Sequence, residues 1–173
     1  MLSPDPTRRV AAVVLICLAL GACGFEPLHG RTTGGVTEAE LDTVQLPYLA
    51  DREGQLLRNS LMRRFNPDGR RVQTLYTLNI NLSKTTQNLG VRKDGTATRI
   101  NLTFYANLSL RQVNGGQEVF KARSVSSVSY NVLEARFATV AAEQDAIRRA
   151  TEALAQNIST RVAIYLKSRK DAG

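Results

Sequence analysis

A chain of 173 residues, with 23 Lys and Arg against 15 Asp and Glu, carries a net charge of +8 at pH 7. That length fits one domain with a real core, and the basic balance predicts anionic partners: lipid headgroups, phosphorylated glycolipids or an acidic protein surface. Nucleic acid is the usual partner of such a charge. It is set aside here, because no strand has the aromatic-basic pattern of a single-strand binder and the amino terminus points to export.

At that terminus Arg8 and Arg9 precede Val10 to Leu20, an uncharged apolar run of about eleven residues. Such a run suits a secretory leader and is too short to span a bilayer as a helix. Gly21 and Ala22 are small, as a peptidase requires beside the scissile bond, and Cys23 follows directly. The pattern resembles the lipobox of bacterial lipoproteins. The resemblance implies a signal peptide over 1–22, with an S-diacylglyceryl and an N-acyl group on Cys23 and no other cofactor. Two or more acyl chains hold a protein stably on a membrane where one binds only marginally. An ordinary signal peptide with a coincidental cysteine, or an uncleaved anchor, is the alternative. No twin-arginine pattern follows Arg8-Arg9. Gly24, rather than Asp, follows the cysteine, which by resemblance to the sorting rules of two-membrane bacteria favours the outer membrane. Losing Asp5, Arg8 and Arg9 with the leader takes the net charge from +8 to +7. Cys17 leaves too, so the mature chain has no disulfide.

Residues 23–43 read as a lipidated tether rich in Gly and Thr, and 44–168 as the folded domain, with a tail at 169–173. Val44 to Leu49 is a short strand that Pro47, lacking a backbone donor, confines to a sheet edge or a bulge. Asp51 is a plausible N-cap for a helix of about four turns, whose apolar stripe is Leu57, Leu61 and Phe65. Arg58, Arg63 and Arg64 lie toward its end, where they suit the helix dipole, and Asn66-Pro67-Asp68-Gly69 stops it. Two alternating strands follow. Val72, Tyr76, Leu78, Ile80 and Leu82 share one face of the first; Ile100, Leu102, Phe104, Ala106, Leu108 and Leu110 share one face of the second. Gly90 to Gly95 forms the hairpin tip, with Asp-Gly turn chemistry. Asn114-Gly115-Gly116 makes a second turn into a weaker strand over about Gln117 to Tyr130. A long helix from about Phe137 to Lys167 presents Ile147, Leu154, Ile158, Val162 and Tyr165. The order β-α-β-β-β-α predicts an α+β two-layer sandwich, in which two helices cover one face of a mixed, mostly antiparallel four-stranded sheet.

The opposite face of the two strong strands carries Thr77, Asn79, Asn81, Ser83, Asn101, Thr103, Tyr105, Asn107 and Ser109, with no charge among them. Amides and hydroxyls suit hydrogen bonding to another polar surface, such as the lining of a protein channel; the alternative is a solvated face of residues that sheets favour. At the hairpin tip Arg92 could fork onto a phosphate, with Lys93 adding a point charge and Lys84 and Arg99 nearby. The alternative there is a solvated tip.

Catalytic chemistry is missing. His29, the single histidine, lies in the tether. No Cys/His cluster can bind zinc and no nucleophile triad can be assembled, so the chain is not expected to be an enzyme.

Cys23-Gly24-Phe25-Glu26-Pro27-Leu28-His29-Gly30 resembles the lipidated start of the LptE family of lipopolysaccharide-assembly lipoproteins, as do Arg92-Lys93-Asp94-Gly95-Thr96-Ala97 and Glu143-Gln144-Asp145. The element order is similar across nearly the whole mature chain. The resemblance implies an outer-membrane lipoprotein on the periplasmic side, which plugs the LptD β-barrel, helps it fold, and binds lipopolysaccharide during insertion into the outer leaflet. Arg92 matches a lipopolysaccharide-contacting arginine of the family. A second basic position is occupied here by Val140, with Arg136 displaced from it. The competing class is a periplasm-facing lipoprotein that binds cell-wall glycan through aromatic platforms; the absence of Trp ranks it lower.

Overall fold

The computed structural model describes residues 40–69, 72–91 and 97–172. Among them the elements run β1 (Val44–Gln45), α1 (Arg52–Phe65), β2 (Tyr76–Val91), β3 (Ala97–Gln112), β4 (Glu118–Asn131) and α2 (Arg136–Asp171). The sheet order is β1-β2-β3-β4. β1 pairs with β2 in parallel and the other two pairings are antiparallel. This is the expected mixed four-stranded α+β fold.

The central hairpin follows directly from the alternation. β2 and β3 have 16 residues each, which at roughly 3.3 Å per residue makes ribbons about 53 Å long. α2 has 36 residues and at roughly 1.5 Å per residue matches that length. Leu78, Leu102, Phe104, Leu108 and Leu110 are buried on the helix side of the sheet, as alternation requires. Against them pack Leu57, Leu61 and Phe65 of α1 and Leu154, Ile158 and Val162 of α2. Each fully buried side chain of this kind contributes about 1.5–3 kcal/mol. The helices are joined by Arg63 and Arg64, whose guanidinium groups lie 3.3 and 2.5 Å from the carboxylate of Glu152. These arginines were expected to serve the dipole of α1; their cross-helix partner adds a second role.

The structure corrects the sequence reading in several places. β1 has two residues, not the six of Val44 to Leu49, because Pro47 cannot donate to β2 and the chain leaves the sheet before it. The Pro47 carbonyl instead accepts from Arg58 Nε at 3.2 Å. Asp51 stands at the N-cap position of α1 but makes no side-chain cap bond. Its φ of +66° sets a sharp corner, and only its carbonyl takes part, accepting from Gln55 N at 3.0 Å. Val72 precedes β2 and is exposed, so the apolar row begins at Tyr76. α2 buries Ala146, Ala150, Ala155, Ser159 and Ala163 beside its large residues. These small side chains let it lie close over Ser124 and Ser126 of β4, which are also buried. The turn at Gly115-Gly116 takes positive φ at both glycines, as expected of that dipeptide. Among the described residues no helix is long and apolar enough to cross a membrane.

Candidate functional site: the open face of the sheet

Both helices cover one side of the sheet, so among the described residues the other side is open. Register brings the expected polar residues together there. Asn79 lies opposite Ser109, Asn81 opposite Asn107, Thr85 opposite Thr103 and Gln87 opposite Asn101, while Thr77 faces Arg111 at one end. Thr77, Asn79, Asn81, Asn101, Thr103 and Asn107 therefore share this face, together with Ser83, Tyr105 and Ser109.

β4 completes the face and changes its character. Ser129 lies beside Asn101, Ser127 beside Thr103, Val125 beside Tyr105, Arg123 beside Asn107 and Lys121 beside Ser109. The face is uncharged along the nine positions first read from β2 and β3, but two cations border it on β4. The signal was present in the sequence: Lys121, Arg123, Ser127 and Ser129 have one parity, and Phe120, Ala122 and Tyr130 the other. The interruption by Val125 and by the inward Ser124 and Ser126 hid it.

The two ends of the face differ. Toward the hairpin tip the polar groups bond to one another. Asn101 Nδ2 donates to Thr103 Oγ1 at 3.2 Å and to Ser127 Oγ at 3.0 Å. Ser129 Oγ donates to Asn101 Oδ1 at 3.1 Å, and Thr103 and Ser127 share a bond of 3.1 Å. At the other end, Asn79, Asn81 and Asn107 have no side-chain hydrogen-bond partner among the described residues. They line a groove of about 560 Å³ together with Tyr48, Lys121 and Arg123.

The groove exists because β1 is short. After Gln45 the chain leaves β2 and passes its edge as Pro47-Tyr48-Leu49, forming one wall. Three contacts hold that segment on α1. The Gln55 amide donates to the Leu49 carbonyl, Arg58 Nε donates to the Pro47 carbonyl, and Gly54 brings the helix backbone close to Leu49. A Cβ at Gly54 would stand 3.0 Å from Leu49 Cβ. With its backbone anchored, Tyr48 remains 78% exposed. Arg123 lies over the Tyr105 ring, 4.6 Å from its centroid, in cation–π geometry. Lys121 Nζ stands 3.2 Å from Glu118, and Ser109 Oγ donates to the same carboxylate at 2.5 Å. The Ser109 hydroxyl, followed by Lys121, holds Glu118 below the usual carboxylate range.

The basic residues expected at the hairpin tip have varied fates. Arg92 and Lys93 lie outside the described residues, as does Cys23. Lys84 points to the helix side, where its ammonium is 2.6 Å from Glu53 of α1; it closes that end of the core and does not join a tip cluster. Its bond to Glu53 is the main cause of a lowered carboxyl pKa there. Arg99 shares a recess of about 380 Å³ with Tyr130, Leu133, Asp145 and Arg149 at the tip end. Val140 is exposed on α2, one turn beyond Arg136 at its start. Amides, hydroxyls and cations of this kind can bind and orient a polar partner.

A family model of lipopolysaccharide-assembly proteins, LptE, matches residues 41–162. The chain belongs to the LptE family. Three solved structures share the LptE-like fold. A lipoprotein of Caulobacter crescentus CB15 is 24% identical, with 76% of this chain and 96% of that one covered at a TM-score of 0.63. Rare lipoprotein B of Shewanella oneidensis is 12% identical, covering 73% and 96% at 0.55. A minor lipoprotein of Acinetobacter baumannii is 18% identical, covering 70% and 88% at 0.54. No curated protein gives a significant sequence match. The LptE match takes in the whole of α1, the sheet, and most of α2. It therefore includes the open face.

Proposed function

We propose that this protein is a non-catalytic outer-membrane lipoprotein, acylated on Cys23 and held on the periplasmic side. It docks inside an LptD-type β-barrel and assists the passage of lipopolysaccharide to the outer leaflet. The observation that carries the reading is the family match over 41–162 combined with an open sheet face whose central β2 and β3 positions, from Thr77 to Ser83 and from Asn101 to Ser109, hold amides and hydroxyls without charge. The lumen of a large barrel is polar, and the amides and hydroxyls of such a face can hydrogen-bond to it. Thr77, Asn79, Asn81, Asn101, Thr103 and Asn107 are the residues assigned to the face turned to that lumen. Arg92 and Lys93 are assigned to the phosphates of lipopolysaccharide, where a guanidinium fork and an ammonium make charge-assisted bonds.

Photo-crosslinking from position 103 in outer membranes tests the docking. Capture of a β-barrel protein is the expected result, and recovery of the protein from outer membranes with no barrel partner would overturn it. For the ligand, Arg92→Glu should weaken lipopolysaccharide binding at least tenfold with the far-ultraviolet circular dichroism unchanged. Equal binding by this variant removes the assignment of Arg92.

A further inference from the structure

The groove at the Tyr48 end of the open face joins three features. Tyr48 offers a largely bare aromatic ring on an anchored loop. Asn79, Asn81 and Asn107 offer amides with no side-chain partner among the described residues. Arg123 offers a guanidinium oriented by Tyr105 and without an ion-pair partner among the described residues. Among the described residues no carboxylate lines the groove, and Glu118 beside it is tied to Ser109 and Lys121.

We propose that this groove binds an anionic oligosaccharide. Sugar hydroxyls both donate and accept, and an amide side chain presents two donors beside an acceptor with two lone pairs. The aliphatic C–H face of a pyranose ring suits the negative face of an exposed tyrosine ring. A phosphate or carboxylate on the sugar would take the fork of Arg123, with the Lys121 ammonium as a second charge. The volume of about 560 Å³ lies within the range of roughly 300–1,000 Å³ common for small-ligand sites. An acidic protein segment fits less well, because the Pro47 to Leu49 wall closes one side and an extended strand needs an open edge. The proposal rests on the lipopolysaccharide reading only for the source of the saccharide. A face turned to a barrel lumen is where the sugar portion of a passing glycolipid would travel, and the self-bonded Asn101 end stays available for the barrel wall.

The test uses the mature lipoprotein in detergent micelles, titrated with the delipidated, phosphorylated oligosaccharide of a lipopolysaccharide. The wild type should bind saturably. Tyr48→Ala and Arg123→Gln should each weaken binding at least tenfold with circular dichroism unchanged, and Tyr48→Phe should retain it. Dephosphorylating the sugar should cost the wild type at least tenfold and cost Arg123→Gln less than it costs the wild type. If intact lipopolysaccharide binds and the oligosaccharide does not, the groove proposal falls and the lipopolysaccharide reading stands; if neither binds, both fall. Unaltered affinity in Tyr48→Ala and Arg123→Gln would overturn the proposal. So would equal affinity for an uncharged cell-wall glycan, or capture of an acidic peptide at Arg123 in place of the sugar.

Discussion

At the hairpin-tip end of the open face, Asn101 bonds to Thr103, Ser127 and Ser129. At the Tyr48 end, Asn79, Asn81 and Asn107 bond to no described side chain. The residue types on β2 and β3 are nearly the same at both ends, and what differs is the neighbour. Beside Asn101 and Thr103, β4 supplies hydroxyls that complete a network; beside Asn107 and Ser109 it supplies Arg123 and Lys121, which cannot accept a hydrogen bond. One end is a finished surface, and the other is left with donors and acceptors for a partner.

The comparison can be broken first at the core, which should not distinguish the two ends. Leu102 lies under the finished end and Leu108 under the groove, and each is 1% exposed. Replacing either by Ala should cost about 2–5 kcal/mol in urea unfolding. A marked difference between them would mean that the sheet is not equally supported along its length. Next comes Gly54→Ala, which acts at the groove end alone. The added methyl meets Leu49 Cβ at 3.0 Å; overpacking of about 1–3 kcal/mol outweighs the gain of about 1 kcal/mol in helix propensity. The expected result is a net loss of stability and weaker oligosaccharide binding, as Tyr48 moves with its loop.

A smaller effect separates the two amide sets directly. Asn101→Ala should cost about 1 kcal/mol, because three hydroxyls lose a partner. Asn81→Ala should stay within about 0.5 kcal/mol of wild type, as an exposed side chain with no bond to lose. Urea midpoints for the two variants check this, and equal losses would erase the distinction. The smallest effect is pH-dependent. The Ser60 hydroxyl, then Arg64, holds the Glu152 carboxyl below its ordinary range. A lowered folded-state pKa stabilises above the unfolded value of about 4.3 and is lost as pH falls through the folded value. Acid unfolding of Glu152→Gln should therefore show a shallower decline below about pH 4 than wild type.

The long alternating runs made β2, β3 and the helix-facing core legible, since period two and period 3.6 are local properties of a chain. Leu57, Leu61, Phe65 and Leu154 could be placed in the same way. β4 was harder to read because Ser124 and Ser126 are buried serines, acceptable only where small α2 residues approach closely. The length of β1 was also misleading: Val44 to Leu49 looks like a strand, and Pro47 ends its pairing sooner than composition suggests. The groove as a whole was not legible, although strand parity puts its amides and cations on one face. Tyr48, Asn81, Asn107 and Arg123 come from four separate segments, and nothing local relates them.

By itself, then, the sequence determined the order of the elements, the parity of the two central strands and the apolar stripes of both helices. Each is written in the spacing of neighbouring residues. The tertiary structure alone decided which amide is bonded into a hydroxyl network and which have no described side-chain partner, and that Tyr48 and Arg123 line one groove. Those outcomes depend on strand register and on the path of a loop past a sheet edge, and pairings between distant segments are set by the packing of the whole domain.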